Sequence, residues 1–247
     1  MLFVEDLHMP RFDLIAFDAD DTLWHNERLY EHTQAGLAGL LAGYGVNPAS
    51  LAAALYQTET RNIGLFGYGI KSFTLSMIET AVQMTWGRVS GYDVLAILDL
   101  AKAQLNAPVE LLEHAREAVS QLADRYRLMV ITKGELLDQE TKLQRSGLAD
   151  CFRDIAVVSD KTPASYAALF KNHALDPARL VMVGNALRSD ILPVLSLGGI
   201  AVYVPYAGTW QHEAAQAPAP GTPRFHQIEH LGLLPALLAS IESDQGT

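Results

Sequence analysis

Residues 12–24 read FDLIAFDADDTLW, an apolar run that ends in three acidic residues within four positions. The apolar run over 14–17, followed at once by charge, predicts a buried strand that ends at the edge of a sheet. Ligands of open α/β sheets bind beyond the carboxyl ends of the strands, so we expect Asp18 and Asp20 to lie at a ligand site. Carboxylates this close together repel one another unless a cation offsets them. Mg²⁺ is the expected cation because it takes carboxylate and phosphate oxygens as ligands.

The composition of the chain narrows the classes of protein to which it can belong. At 247 residues it can hold one large domain or two modest ones, and its 49% hydrophobic content is enough for a packed core. The formal net charge of −10 argues against nucleic acid or an anionic membrane as the main partner. The single cysteine, Cys151, excludes an internal disulfide and fits a reducing compartment.

The amino-terminal stretch and the hydropathy pattern bear on location. Residues 1–10 lack the basic region and the apolar stretch that are typical of a signal peptide. No apolar run approaches the ~18 residues that a membrane-spanning helix needs. We therefore expect a cytoplasmic protein without a membrane partner.

The pattern of apolar residues changes along the chain. From residue 25 to about residue 107 the three- and four-residue spacings predict helices, interrupted by a glycine-punctuated loop over 61–69. Later the helical segments alternate with apolar, strand-like runs at 127–134, 155–161, 180–185 and 200–204. A proline-containing surface loop over 214–223 and a final helix over 231–241 complete the pattern.

This alternation predicts the fold class and the domains. Strands alternating with helices imply crossover connections, and therefore an α/β fold whose doubly wound parallel sheet is covered on both faces. The first strand is separated from the others by the helical block. We therefore expect a core of residues 1–24 and 108–247, with residues 25–107 forming an inserted all-helical cap beside the acids. A cap in that position can exclude water and select the substrate.

Polar residues follow the predicted strands and should converge at one edge of the sheet. They are Asp18, Asp20, Thr132, Lys161, Asn185 and Asp190. Phosphoryl transfer uses such a set: one carboxylate attacks phosphorus and a second one moves the proton of the leaving oxygen. Cations and hydrogen-bond donors then balance the charge on the phosphoryl oxygens.

Four of these elements carry a resemblance to a known family. The run DADDT over 18–22 resembles the DxDxT motif of the haloacid dehalogenase (HAD) superfamily, which also follows an apolar strand. Thr132 is similar to the second motif of that superfamily, and Lys161, shortly before Pro163, to the third. The segment 184–190 (GNALRSD) resembles the fourth. The resemblance implies a Rossmann-like core, and the helical block lies where this superfamily places its C1-type cap.

The resemblance also implies catalytic roles. Asp18 would be the nucleophile, and Asp20 would be the general acid and base. Thr132, together with Lys133 and Gly134, would hold the phosphoryl oxygens. Lys161 would stabilise the negative charge.

A magnesium site is implied in the same way. Asp18, the backbone carbonyl of Asp20, and Asp190 would hold the ion, with Asn185 as a further oxygen ligand. Asn185 departs from the family pattern, since an acid is common at that position. An asparagine ligates through its carbonyl oxygen but supplies no charge.

Asp20 distinguishes two branches of the superfamily. Members that cleave carbon–halogen bonds lack this aspartate, so its presence favours a Mg²⁺-dependent phosphatase that acts on a small phosphorylated metabolite. Three alternatives stay open: a 2-haloacid dehalogenase-type hydrolase, a phosphoacceptor signalling domain, and a pseudoenzyme that binds phosphate without turnover. We expect a monomer or a homodimer.

Other polar residues are weaker candidates. His25 follows the acids directly and is expected to line the substrate pocket. Arg61 and Lys71 flank the predicted glycine-rich loop, where they could contact substrate or belong to an ordinary surface loop. Lys142 competes with Lys161 as the lysine of the site, but its place in the middle of a predicted helix favours a solvated side chain.

Overall fold

The structure is a computed structural model that describes residues 12–243. The expectations for residues 1–11 and 244–247, including the absence of a signal peptide, lie outside these residues.

A parallel sheet of six strands forms the centre of the described chain. In chain order the strands are β1 (Leu14–Phe17), β2 (Leu128–Lys133), β3 (Asp154–Val158), β4 (Leu180–Gly184), β5 (Ile200–Tyr203) and β6 (Phe225–Gln227). Their order across the sheet is β3-β2-β1-β4-β5-β6. Phe17, the last residue of β1, lies beside Val130 of β2 and Val183 of β4, so the polar residues after these strands meet at one edge.

Five of the six strands were predicted from the sequence. The sixth, β6, is a new finding that lies just after the predicted loop. It has only three residues, and none of them is fully buried. A segment this short has no apolar run, and its strand conformation depends on pairing with β5.

Five helices lie between β1 and β2 in the chain, and the first four pack together. These four are α1 (Glu27–Ala42), α2 (Pro48–Phe66), α3 (Ile70–Met84) and α4 (Gly91–Asn106), and we call them the helical insertion. Their inward faces form one hydrophobic cluster that includes Leu37, Leu55, Phe73, Met77 and Ile97. Since this cluster contains no residue of the sheet, the helical insertion has a core of its own.

The predicted loop over 61–69 is shorter than expected. Helix α2 continues to Phe66, and only Gly67–Gly69 breaks the helical path. Asn62 is buried, and its amide donates hydrogen bonds to Ser76 and Glu79 of α3. These contacts help to keep this part of α2 helical. Gly67 and Gly69 have φ of +78° and +117°, a conformation that glycine adopts readily.

The remaining helices cover both faces of the sheet. One face packs against α5 (Ala115–Ala123), α6 (Leu136–Ser146) and, at the end of the chain, α9 (Leu234–Ser243). The other packs against α7 (Pro163–Asn172) and α8 (Leu192–Ser196). Alternate residues of β1 enter the two clusters, since successive strand side chains point to opposite faces. The doubly wound α/β fold is therefore confirmed. None of the helices within 12–243 has the length and apolar character to cross a bilayer.

Candidate active site

One cavity lies between the edge of the sheet and the helical insertion, and we call it the main cavity. Its walls include Asp18, Asp20, Thr132, Lys133, Gly134, Lys161, Asn185 and Asp190 from the sheet side. The helical insertion contributes Glu27, Tyr30, Gln34, Glu59, Tyr68, Ser72 and Phe73. All six residues predicted from the strand ends thus reach a single space.

Lys161 joins two carboxylates at the base of this cavity. Its ammonium donates to Asp18 Oδ1 at 2.5 Å and to Asp190 Oδ1 at 2.7 Å. The lysine side chain is 1% exposed. Burial by itself would lower the pKa of Lys161, but the carboxylates of Asp18 and Asp190 outweigh it and raise that pKa. Lys161 therefore carries a positive charge between two buried acids.

The Thr22 hydroxyl orients the other oxygen of the first aspartate. It donates to Asp18 Oδ2 at 2.9 Å and accepts a hydrogen bond from the Asn185 backbone N–H at 3.1 Å. Asn185 Oδ1 lies 3.2 Å from the same hydroxyl. Thr22 therefore brings an oxygen of Asp18 close to the amide oxygen of Asn185.

Asp190 reaches the site from a π-helical turn over Leu187–Ile191. Its Oδ2 accepts a hydrogen bond from the Ala186 N–H at 3.0 Å, and the residue is fully buried. Burial raises the pKa of Asp190, whereas Lys161 acts in the opposite direction. A Cβ atom on Gly184 would lie 2.2 Å from Asp190 Oδ2, so the close approach requires glycine at the end of β4.

Asp20 is held by three side chains of the core. Lys142 donates to both of its oxygens at 2.9 and 3.0 Å. Gln139 Nε2 donates to Oδ2 at 2.9 Å, and Trp24 Nε1 donates to Oδ1 at 2.7 Å. These contacts fix the orientation of the Asp20 carboxylate at the wall of the main cavity.

The prediction that Lys142 is solvated was wrong. Its side chain is 15% exposed and also lies 3.4 Å from Asp138 Oδ2. Helix α6 packs with Asp138, Gln139 and Lys142 directed toward the site, which the position of Lys142 within a helix does not reveal. Burial lowers the pKa of Lys142, but Asp20 and Asp138 raise it by more.

Thr132, Lys133 and Gly134 lie together at the end of β2. Thr132 is 1% exposed and its hydroxyl donates to the Lys133 carbonyl oxygen at 3.2 Å. The Lys133 ammonium forms an ion pair with Glu213 and a 3.0 Å hydrogen bond with Ser189 Oγ. The three residues line the main cavity.

Glu213 and Ser189 were not predicted as site residues. The Ser189 hydroxyl donates to Glu213 Oε2 at 2.5 Å, and both side chains surround the Lys133 ammonium. Burial would raise the pKa of Glu213, but Lys133 and Ser189 lower it. Glu213 belongs to the short helical turn Gln211–Glu213, which has no apolar periodicity or motif that marks it in the sequence.

Three predicted substrate contacts lie outside the main cavity. His25 lines a smaller neighbouring cavity, where its Nδ1 is 2.9 Å from the Tyr206 hydroxyl oxygen. Arg61 lies on α2 beside Glu79, with 3.5 Å between charged atoms. Lys71 forms an ion pair with Glu135, and its side chain is exposed. Each side chain is directed elsewhere by its partner.

The donor set at the sheet edge fits a magnesium ion. Within residues 12–243 no group of three or more His, Cys, Asp or Glu side chains has the arrangement of a metal site. Asp18, Asp190 and Asn185 instead offer two carboxylates and one amide oxygen. Asp18 Oδ2 and Asn185 Oδ1 both contact the Thr22 hydroxyl, and Mg²⁺ binds hard oxygen ligands of these two kinds.

The fold and the site define an α/β protein whose carboxylate-centred site lies at the carboxyl edge of a parallel sheet. The family model described as "Hydrolase: haloacid dehalogenase-like hydrolase" matches residues 12–198. The chain therefore belongs to the haloacid dehalogenase-like hydrolase family, as its motifs indicated.

Solved structures agree with this assignment. The chain is 37% identical to a haloacid dehalogenase-like family hydrolase from Xanthomonas campestris, with a TM-score of 0.81 and coverage of 95% of this chain and 98% of that chain. A 2-haloacid dehalogenase from Pseudomonas syringae pv. Tomato DC3000 is 22% identical, with a TM-score of 0.65 and coverage of 93% and 99%. A predicted phosphoglycolate phosphatase from Haemophilus somnus 129PT is 16% identical, with a TM-score of 0.62 and coverage of 93% and 99%. No curated protein matches the sequence.

Proposed function

We propose that this hydrolase is a Mg²⁺-dependent phosphatase that acts on a small phosphorylated metabolite through a phosphorylated Asp18. One observation carries the proposal: the carboxylate of Asp20 lies at the wall of the same cavity as Asp18. An alcohol that leaves phosphorus must take up a proton, whereas a halide leaves as a stable anion. A second carboxyl group in the same cavity as the nucleophile therefore favours a phosphate ester.

The reaction would proceed in two steps. First, an Asp18 oxygen bonds to phosphorus, the bond from phosphorus to the alcohol oxygen breaks, and Asp20 gives that oxygen a proton. Then Asp20 takes a proton from water, the water oxygen bonds to phosphorus, and the bond to Asp18 breaks to release phosphate. Lys161 stabilises the negative charge in both steps because its ammonium already contacts Asp18.

The residues around Asp18 would bind the phosphoryl group and the metal ion. Asp18, Asn185 and Asp190, with the backbone carbonyl of Asp20, would hold Mg²⁺, which supplies positive charge against the phosphoryl oxygens. Because Asn185 adds no charge, we expect weaker Mg²⁺ binding than at a site with a third carboxylate.

The helical insertion supports a small substrate. We propose that residues 25–107 act as a cap over a catalytic core that comprises the preceding residues and 108–247. Their helices supply one wall of the main cavity, which favours a metabolite over a folded protein or a nucleic acid. A cytoplasmic monomer or homodimer is proposed with it.

Phosphate release from 4-nitrophenyl phosphate tests this function, with Mg²⁺ and with EDTA, for the wild type and Asp18→Asn. We expect release that requires Mg²⁺ and is lost in the variant. A panel of phosphorylated metabolites follows, in case the cavity excludes the aryl probe. No release from any of these compounds would contradict the proposal.

A 2-haloacid dehalogenase-type activity is the second candidate. Asn185 favours it, because this residue adds no charge to the metal site. A metal site with fewer charged ligands is less of a disadvantage when Asp18 displaces a halide from carbon than when it attacks a phosphoryl group. Halide release from 2-chloropropionate, unaffected by EDTA and lost in Asp18→Asn, would support this candidate against the phosphatase.

A further inference from the structure

The main cavity is rich in acids, and most of them have a partner. Eight carboxylates line it: Asp18, Asp20, Asp21, Glu27, Glu59, Asp138, Asp190 and Glu213. Asp18 and Asp190 share Lys161, Glu213 pairs with Lys133, and Asp20 and Asp138 share Lys142. Asp21 accepts backbone N–H bonds from Asn26 and Glu27 at the start of α1.

Glu27 and Glu59 are the two carboxylates left over. Within the part of the chain that the structure describes, neither carboxylate has a hydrogen bond or an ion pair with another residue. Glu59, on α2, is 9% exposed, and Glu27 begins α1. Burial raises the pKa of Glu59 to about 7. Burial, followed by the charges of Asp21 and Glu59, raises the pKa of Glu27 to about 8. Both carboxyl groups are therefore partly protonated at neutral pH, and a cation beside them would favour their ionised forms.

A second, independent feature of this wall also lacks a partner. Ser72, on α3, is 5% exposed and lines the main cavity. Its hydroxyl oxygen has no hydrogen-bond partner among residues 12–243. Buried hydroxyl groups are nearly always hydrogen-bonded, so an unpaired one at a cavity wall points to a ligand.

Aromatic rings stand beside these acceptors. Tyr30 and Phe73 line the same cavity and pack edge to face, with 5.0 Å between ring centroids. The faces of aromatic rings attract cations, most strongly where water is excluded. Carboxylates, a hydroxyl acceptor and aromatic rings together match a protonated amine better than a neutral or anionic group.

We infer that the helical insertion binds a protonated amine carried by the leaving alcohol of the substrate, with Glu27 and Glu59 as its counter-charges and Ser72 as a further acceptor. The inference rests on the proposed function, in which the phosphoryl end of the same molecule lies at Asp18 and Lys161. The substrate class is then a phosphate monoester of an amino alcohol. One ammonium would favour the ionised forms of the two glutamates and offset the cost of burying their charge.

Two matched pairs of substrates test the inference. One pair is 4-(aminomethyl)phenyl phosphate and 4-ethylphenyl phosphate, which have the same shape and differ by the ammonium; the other is 2-aminoethyl phosphate and propyl phosphate. We expect kcat/KM to be about tenfold higher for the ammonium member of at least one pair. Glu27→Gln and Glu59→Gln should each remove most of this preference. Glu31→Gln, an exposed acid on the same α1, should keep it. Equal rates within both pairs, or a preference that survives both variants, would overturn the inference.

A binding measurement separates this inference from the proposed function. If no phosphate ester is hydrolysed, calorimetry with 2-phenylethylammonium chloride and 2-phenylethanol still measures whether the part of the main cavity formed by Glu27 and Glu59 prefers an ammonium group. We expect the ammonium to bind about tenfold more tightly, and Glu59→Gln to remove the difference. Equal affinity of the two compounds for the wild type would overturn the inference, whatever the catalytic result.

Discussion

The Lys161 ammonium lies 2.5 Å from Asp18 Oδ1, although 143 positions separate the two residues along the chain. The lysine follows β3 and the aspartate follows β1, with β2 between these strands in the sheet. A buried cation therefore crosses the edge of the sheet to reach the aspartate, and the same ammonium contacts Asp190.

Replacing this lysine should abolish activity and destabilise the fold. Lys161→Met leaves Asp18 and Asp190 as buried carboxylates without their counter-charge. Removing one partner of a buried ion pair lowers the free energy of unfolding by about 3–5 kcal/mol. Urea unfolding measures the change. The matched variant Lys161→Met/Asp18→Asn also removes one of the two unpaired carboxylate charges. It should therefore recover part of the stability but none of the activity. Equal stability of the two variants would contradict the pairing.

Gly184 should tolerate no side chain. In Gly184→Ala the new Cβ would lie 2.2 Å from Asp190 Oδ2 and push this carboxylate away from Lys161. We expect a loss of about 1–3 kcal/mol in stability and of about 100-fold in kcat. Gly39→Ala is the control, because Gly39 lies in α1 and a Cβ added there would meet no atom within 4 Å. That change should stabilise the protein slightly. An active Gly184→Ala would show that the position of Asp190 is unimportant.

Lys142 is expected to act as a positioning residue. Its ammonium donates to both oxygens of Asp20. Lys142→Met should therefore lower kcat by about 10–100-fold, because Asp20, the residue that transfers the proton, loses its orientation. KM should change little, because Asp18 and Lys161 stay in place. Lys142→Arg should restore part of kcat by keeping the charge. Lys102→Met removes an exposed lysine that pairs with Asp99 and should leave the kinetics unchanged. A rise in KM alone would assign Lys142 to substrate binding instead.

Glu59 should make stability depend on pH. Its pKa is raised from 4.5 to about 7 in the folded protein, so the carboxyl group favours folding below pH 4.5 and this contribution is lost as pH rises through about 7. Glu59→Gln does not titrate. The free energy of unfolding of the variant should therefore rise relative to that of the wild type by roughly 1–3 kcal/mol between pH 5 and pH 8.5.

Urea unfolding at pH 5, 7 and 8.5 measures this gain, with Glu31→Gln as the exposed control. A constant difference in the free energy of unfolding between Glu59→Gln and the wild type at all three pH values would show that burial does not shift the titration of the Glu59 carboxyl group.

Much of the fold was predictable because its signals are local. The run over 14–17 has apolar side chains on both faces, which is typical of a central parallel strand and agrees with the full burial of β1. The acids that follow it necessarily lie at the edge of the sheet. The end of α2 was not predictable in this way, because Arg61–Phe66 contains glycine and polar residues. Contacts of Asn62 with α3 keep it helical.

The residues of the candidate site also differ in whether a local sequence signal predicts them. Residues directly after strands, such as Asp18 and Asn185, were found because the strand ends at a known edge. Glu213 and Glu59 were missed, and Lys142 was wrongly predicted to be solvated. These residues lie on helices or turns whose orientation toward the cavity depends on packing.

The sequence by itself determined the order of the first five strands and of the helices between them, the acids at the end of β1 and the family to which the chain belongs. These features follow from the spacing of apolar residues and from motifs that are continuous in the chain. Only the tertiary structure decided which charges meet: Lys142 with Asp20 across 122 positions, and Lys133 with Glu213 across 80. The physical reason is that an ion pair depends on the distance between two atoms in space. That distance is decided by how helices pack on the sheet, and no local pattern records it.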